Sequence, residues 1–219
     1  MDNHNILEID GVELSFGAHR VLSGVYLKSE TGRVTGILGR NGCGKSCLLK
    51  LIFGELSTEQ KSIRINGQHL PESSRRSEDL HMLPQFNFLP RRLDVSTVFK
   101  KFHVDFTEFC YFFPELENIE DQKIKELSGG TVRLVETFLI LKSPGKFCIL
   151  DEPFSHLSPN NTDIFIRLIK QEKRNKGIIL TDHLHRYITE ISDDLYIMAE
   201  GTTHKVINLD QLRGYGYLK

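Results

Sequence analysis

The chain has 219 residues, with 28 lysines and arginines against 29 aspartates and glutamates, and at a net charge of −1 no overall field invites nucleic acid. Its 39% hydrophobic and 26% charged residues are ordinary for a globular domain long enough to bury a substantial core. The longest apolar runs, such as "FCIL" and "GIIL", fall far short of the ~20 residues that span a bilayer, and the opening "MDNHNILEID" lacks the basic and apolar regions of a secretory signal.

In chain order, "NILEIDGVELSF" and "VLSGVYLKSE" alternate apolar and polar residues around glycine turns and predict antiparallel strands. "RVTGILG" (33–39) predicts a buried strand, and "KSCLLKLIFGEL" places Leu48, Leu49, Ile52 and Phe53 at helical spacing. "KSIRINGQHL" predicts a further strand with Asn66–Gly67 as its turn. "PESSRRSEDL" is polar and predicts an exposed connection. "LHMLPQFNFLP" returns to apolar residues, with Pro84 and Pro90 as breakers. "DVSTVFKKFHVDF" predicts a helix, and residues 96–127 carry mostly helical periodicity. "GTVRLVETFLILKS" predicts a helix with a wide apolar face, "KFCILDEP" a buried strand ending in acids, and "NTDIFIRLIKQEKRNKG" an amphipathic helix ending at Gly177. "GIILTDH" predicts another buried strand, "LHRYITEIS" a helix, and "DLYIMAEGTTHKVI" a hairpin about Gly201. Strands alternating with helices predict an α/β core with a parallel sheet. Cys43, Cys47, Cys110 and Cys148 show no C-x-x-C spacing and are expected to be reduced thiols.

Two stretches carry chemistry. In "ILGRNGCGKSCLLKLIFG", Gly39 followed by Gly44-Lys45-Ser46 fits G-x-x-x-x-G-K-[ST], a phosphate-binding loop joining a strand to a helix. Backbone amides of the loop, from Gly39 through Asn41, Gly42, Cys43 and Gly44 to Cys47, can wrap phosphate, helped by the helix dipole. Lys45 would reach the β- and γ-phosphates, and the Ser46 hydroxyl would bind Mg²⁺. In "FCILDEP" four apolar residues run into Asp151 and Glu152, at the strand end where α/β sheets bind ligands. Asp151 would hold Mg²⁺ and Glu152 would polarise an attacking water; a pair of helix-capping acids is the plainer alternative.

"KELSGGTVRLVE" then completes a resemblance. With Leu127-Ser128-Gly129-Gly130-Thr131 where the family has LSGGQ, the chain resembles the ATP-binding cassette (ABC) ATPases, the motor subunits of ABC transporters. The resemblance runs over nearly the whole chain. It implies a RecA-like P-loop core with a parallel sheet, an N-terminal antiparallel β-subdomain and a compact helical signature subdomain. The expected division is one nucleotide-binding domain, 1–219, with core and β-subdomain at 1–86 and 137–219 and the helical subdomain at 87–136. ATP and Mg²⁺ are the implied cofactors. Phe16 matches the aromatic that stacks on adenine, with a strand core position as its alternative. Gln85 matches the loop glutamine that senses Mg²⁺ and faces the membrane subunit. His183 matches the switch histidine near the γ-phosphate. Ser128, Gly129 and Gly130 would close over the ATP of a second ABC chain, identical or different, packed head to tail. The other implied partner is a transmembrane permease subunit, which places the chain in the cytoplasm, peripheral on the inner face of the cell membrane.

Four positions or features depart from the family pattern. Cys47 replaces a hydroxyl residue, and a thiol is a poor donor. Thr131 replaces the signature glutamine. Ser158, in "SHLSP", replaces an aspartate that helps couple the two sites. Only 42 residues, 86–127, separate Gln85 from Ser128, which keeps the helical part compact. "LDEPF" and "LTDH" are nearest the branch with lipopolysaccharide-export and branched-chain amino-acid ATPases. The leading expectation is an ATPase subunit driving a separate permease. The rivals are a nucleotide-gated regulatory protein with slow or no turnover, motivated by Cys47 and Ser158, and a soluble ABC-type ATPase without a membrane partner.

Overall fold

A computed structural model describes residues 4–71, 79–208 and 210–216; most of the polar connection expected at 71–80, with its Arg75–Arg76 pair, lies outside them. Two long strands, β1 (Ile6–Phe16) and β2 (His19–Glu30), pair antiparallel and turn Leu7, Ile9, Val12, Leu22, Val25 and Leu27 to one buried face. Strands β4 (Ser62–Ile65) and β5 (Gln68–His69) complete a sheet ordered β2-β1-β4-β5. Asn66 and Gly67 join them at φ 52° and 75°, the two positive values that a tight primed hairpin requires.

The second sheet is ordered β10-β9-β3-β8-β7-β6. Its strands are β3 (Val34–Gly39), β6 (Leu80–Leu83), β7 (Phe147–Asp151), β8 (Gly177–Thr181), β9 (Asp194–Ala199) and β10 (Thr202–Lys205). All neighbouring pairs are parallel except β9 and β10, which form the hairpin expected about Gly201. The apolar return at Leu80–Leu83, short and cut off by Pro84, proves to be the edge strand β6, with Leu83 beside Leu150 of β7. Every residue of β7 and β8 is buried, as strands covered on both faces must be. Alternation divides their side chains between two cores. Phe147, Ile149 and Ile179 join the core shared with the antiparallel sheet and helix α1 (Lys45–Phe53), while Cys148, Leu150, Ile178 and Leu180 join the one beneath the other helices.

The segment between Pro90 and Ser128 differs from the single helix expected at 94–106. Helix α2 (Val95–Lys101) stops, His103 turns at φ 54°, and helix α3 (Phe106–Phe112) starts afresh. The break is local: the Asp105 carboxylate accepts the Thr107 amide at 2.8 Å, a cap that competes with helix continuation. Single turns at Pro114–Ile119 and Ile124–Glu126 lead to the long helix α4 (Gly129–Lys142), which runs unbroken past position 136. Helices α5 (Pro159–Glu172), α6 (His185–Ile191) and α7 (Gln211–Gly214) complete the described elements. Lys176, buried, donates to the Leu141 and Ser143 carbonyls at 2.8 and 2.5 Å, placing a cation at the C-terminal end of α4.

Aromatic packing joins these short helices to the core. The Phe109 ring, fully buried, lies 5.4, 5.0 and 5.2 Å between centroids from Phe99, Phe113 and Phe138, and Phe113 meets Phe165 of α5 at 5.6 Å. Replacing Phe109 by alanine therefore removes the ring common to α2, α3 and α4. Urea unfolding should show a loss of ~3–5 kcal/mol; a midpoint equal to the parent's would show that the cluster contributes nothing there.

Candidate functional site

The phosphate-loop residues fold as one turn between β3 and α1. Gly44 stands at the head of α1 with φ 107°, and no side chain caps the helix, so its first amides are available to an anion. A Cβ on Gly44 would come 2.9 Å from Leu22 Cδ2 and 3.1 Å from Val21 Cγ1, and one on Gly39 would meet Cys43 Sγ at 2.5 Å. The left-handed φ requires glycine at 44, and at 39 a side chain would force Cys43 to shift. The Lys45 ammonium, on a largely buried side chain, donates to the carbonyls of Gly39 at 2.7 Å and Arg40 at 3.2 Å, which hold it across the loop.

Around the loop opens a cleft of about 430 Å³. Asn41, Gly42, Gly44, Lys45, Ser46 and Cys47 line one side, and Gln85, Glu152 and His183 the other. These three converge on a single atom. Glu152 Oε2 accepts from Gln85 Nε2 at 3.0 Å and lies 2.8 Å from His183 Nε2, a hydrogen bond when that nitrogen carries the proton. Glu152 takes φ 54°, a conformation costing ~1–2 kcal/mol for a residue with a Cβ. Its amide donates to the Thr181 carbonyl at 2.8 Å, a contact across the β7–β8 edge that fixes the turn.

Asp151, 1% exposed, ends β7 below the loop. Neither of its carboxylate oxygens has a hydrogen-bond partner among the described residues. Burial pushes its pKa up, and the nearby Ser46 hydroxyl, close enough to favour the anion, offsets only part of that. An unpaired buried carboxylate beside a hydroxyl is a hard-oxygen donor set that fits a small divalent cation.

The other expected residues lie apart from this cleft. Phe16, 54% exposed at the end of β1, does not line it, and its exposure removes the core alternative. Ser128 caps α4, its Oγ accepting the Thr131 amide at 3.1 Å and lying 2.8 Å from Thr131 Oγ1. Gly129 and Gly130 border a separate hollow with Gln85, Phe86, Arg133 and His156. Cys47 lies in the cleft, and burial pushes its thiol pKa up, so it stays protonated and offers only a weak donor. Ser158 caps α5, accepting the Asn161 amide at 3.3 Å.

Three supporting residues escaped the sequence reading. Asp182 accepts the Phe154 amide at 3.0 Å and the Leu184 amide at 2.9 Å, bolting the turn after β8 to the turn after β7. Burial raises its pKa, and those two bonds counter it. Arg133 and Glu136 are buried polar residues inside the apolar helix α4. Their signal was two charges three apart in "TVRLVETFLIL", which periodicity alone assigns to a solvent face.

This geometry meets its relatives by comparison. A profile of the family described as ABC transporter matches residues 22–155. The chain belongs to that family. It is 29% identical to the lipopolysaccharide export system ATP-binding protein LptB of Haemophilus influenzae, with 95% of each chain covered. It is also 29% identical to the ribose import ATP-binding protein RbsA of Caldanaerobacter subterraneus subsp. tengcongensis, over 90% of this chain but 43% of that one. A solved structure, that of an ATP-binding subunit of an ABC transporter, superposes with a TM-score of 0.82 at 23% identity, covering 97% of this chain and 94% of the other, which shows the shared fold.

The buried Asp151 gives a test with a definite sign. A carboxyl whose folded pKa is raised costs stability when it ionises; the cost is absent below its unfolded pKa and complete above its folded one. At neutral pH Asp151→Asn should therefore raise the stability of the nucleotide-free chain by roughly 1–3 kcal/mol, a few degrees in melting temperature. Below the unfolded pKa the gain should vanish. A melting temperature lowered at neutral pH would refute the unpaired charge.

Proposed function

We propose that the chain is the Mg²⁺-dependent ATP-hydrolysing subunit of an ABC transporter and acts on a separate membrane permease. The observation that carries this reading is the convergence of Gln85 and His183 on Glu152 Oε2, across one cleft from Lys45 and Ser46. Family membership and the LptB-like sequence support the transport role.

The roles follow from placement. Loop amides and the Lys45 ammonium bind the triphosphate. Ser46, Asp151 and Gln85 would hold Mg²⁺, which when bound neutralises phosphate charge. Glu152 accepts a proton at Oε2 from the water that attacks the γ-phosphorus, giving ADP and phosphate. His183 orients that carboxylate through the bond at 2.8 Å. The exposed Phe16 ring is free to stack on adenine. The exposed Gly129 and half-buried Gly130 at the head of α4 suit the nucleotide of a second chain packed head to tail, and Ser128 would join them.

The permease role rests on the loop after β6. Phe86, next to Gln85, is 73% exposed, an apolar ring suited to a partner helix. No helix among the described residues is long and apolar enough to cross a membrane, so that partner would supply the spans, and we place the chain at the cytoplasmic face. We further propose that the helical segment 87–136 moves as a lobe against 1–86 and 137–219. One observation favours a second reading, a nucleotide-gated regulator with little turnover: a protonated thiol, Cys47, stands in the cleft where a hydroxyl would bind phosphate better.

Steady-state ATP hydrolysis with Mg²⁺ separates the two. The parent should turn over, Glu152→Gln should lose at least ~100-fold in kcat while still binding ATP, and Lys45→Ala should lose binding itself. ATP bound tightly by a parent that never hydrolyses it, even with a co-purifying membrane subunit present, would favour the regulator.

A further inference from the structure

The buried arginine of helix α4 does no charge pairing at hydrogen-bond distance. Arg133 is 3% exposed, and its nearest carboxylate oxygen, Glu136 Oε2, lies 3.9 Å away. Its donors go instead to three backbone carbonyls: Pro84 at 2.7 Å, Asp151 at 2.9 Å and Glu152 at 2.9 Å. Those carbonyls belong to the residue before Gln85 and to the two acids themselves. Burial lowers the Arg133 pKa, a cost consistent with a group kept there for its donors.

Glu136, one turn on, grips the other end of the same loop. Its Oε1 accepts the amides of Phe88 at 2.7 Å and Leu89 at 3.1 Å. The residues from Gln85 to Asn87 thus hang between two attachments to one helix. The Glu152 carbonyl, on the same guanidinium, is held in its left-handed turn. Helix α4 begins at the Ser128 cap, five positions before Arg133, and is one continuous element. The head of that helix, the Gln85 loop and the Glu152 backbone are therefore joined through one element.

We propose that Arg133 is a positioning residue for hydrolysis: it fixes the Glu152 and Gln85 backbones to helix α4, so that the proton acceptor is aligned only when the head of that helix is seated. This rests on the reading of Glu152 as the proton acceptor. Arg133, 3% exposed, acts through the three carbonyls. A backbone shift of a fraction of an ångström at Glu152 changes the approach of water more than it changes phosphate binding, which is held by the loop of β3–α1.

The experiment measures kcat, KM and ATP dissociation constant for Arg133→Met, Arg133→Lys and Glu152→Gln, and for Arg133→Met combined with Glu152→Gln. Arg133→Met should lower kcat by about 10–100-fold, as loss of an outer-shell positioning group does, with the ATP dissociation constant changed less than about threefold. Arg133→Lys, which keeps a donor and the charge, should recover part of that loss and keeps the test open if the methionine variant does not fold. Added to Glu152→Gln, Arg133→Met should cost under about threefold more, because both act on one group. Parent-like turnover in both Arg133 variants, an equal loss in binding and kcat, or full additivity with Glu152→Gln would overturn the inference. Undiminished turnover in Glu152→Gln would instead overturn the reading of Glu152 on which it rests.

Discussion

Two carboxylates must end in the same buried place for this site to exist, and much of the molecule answers to that. Asp151 ends and Glu152 follows a strand covered on both faces, where an ion without a partner costs several kcal/mol. Among the described residues neither Asp151 carboxylate oxygen has a hydrogen-bond partner, while Glu152 Oε2 is met by Gln85 and His183, with Ser155 Oγ farther off at 3.4 Å. On the proposed function the first acid would hold a cation and the second would accept a proton. Their neighbouring positions in the chain hide that difference in environment.

The turn that separates the two roles is held from three sides. Thr181 on β8 accepts the Glu152 amide, Asp182 accepts the Phe154 amide, and Arg133 on α4 donates to the Asp151 and Glu152 carbonyls. Thr181 and Asp182 come from the end of β8 and Arg133 from α4, and both elements are anchored in a core. β8 alternates its side chains between both cores, while α4 carries Phe138 into the aromatic cluster. A strained φ at Glu152 persists because these attachments together outweigh it.

What the sequence shows depends on whether the chemistry lies in local pattern or in long-range contact. The phosphate loop, the acids of β7 and the cap at Ser128 are local, and their motifs place them without knowledge of the rest. The parallel sheet was legible because β7 and β8 are short apolar runs between helical stretches. β6 was not, because four residues cut off by Pro84 look like any apolar stretch until β7 pairs with them. The α2–α3 break was missed because Asp105 serves equally as a polar helix residue and as a cap. Arg133 and Glu136 were missed for the opposite reason. Their meaning lies in carbonyls and amides forty-odd positions back along the chain, and nothing near them in sequence announces a buried pair.

The departures from the family pattern take a physical order from the same geometry. Ser158 still caps α5, so losing an aspartate there removes a charge but not the turn. Thr131 binds Ser128 through both its amide and its hydroxyl, so the signature serine gains a local partner that would compete with a phosphate from outside. Cys47 changes the cleft itself, placing a protonated thiol where the family pattern has a hydroxyl, and on the proposed function would weaken one of several contacts along the loop. None of the three touches the attachments that hold Glu152. On the proposed function the substitutions would bear on nucleotide grip and on communication between two chains, while the geometry of proton transfer would depend on Arg133, Asp182 and Thr181, whose bonds they leave in place.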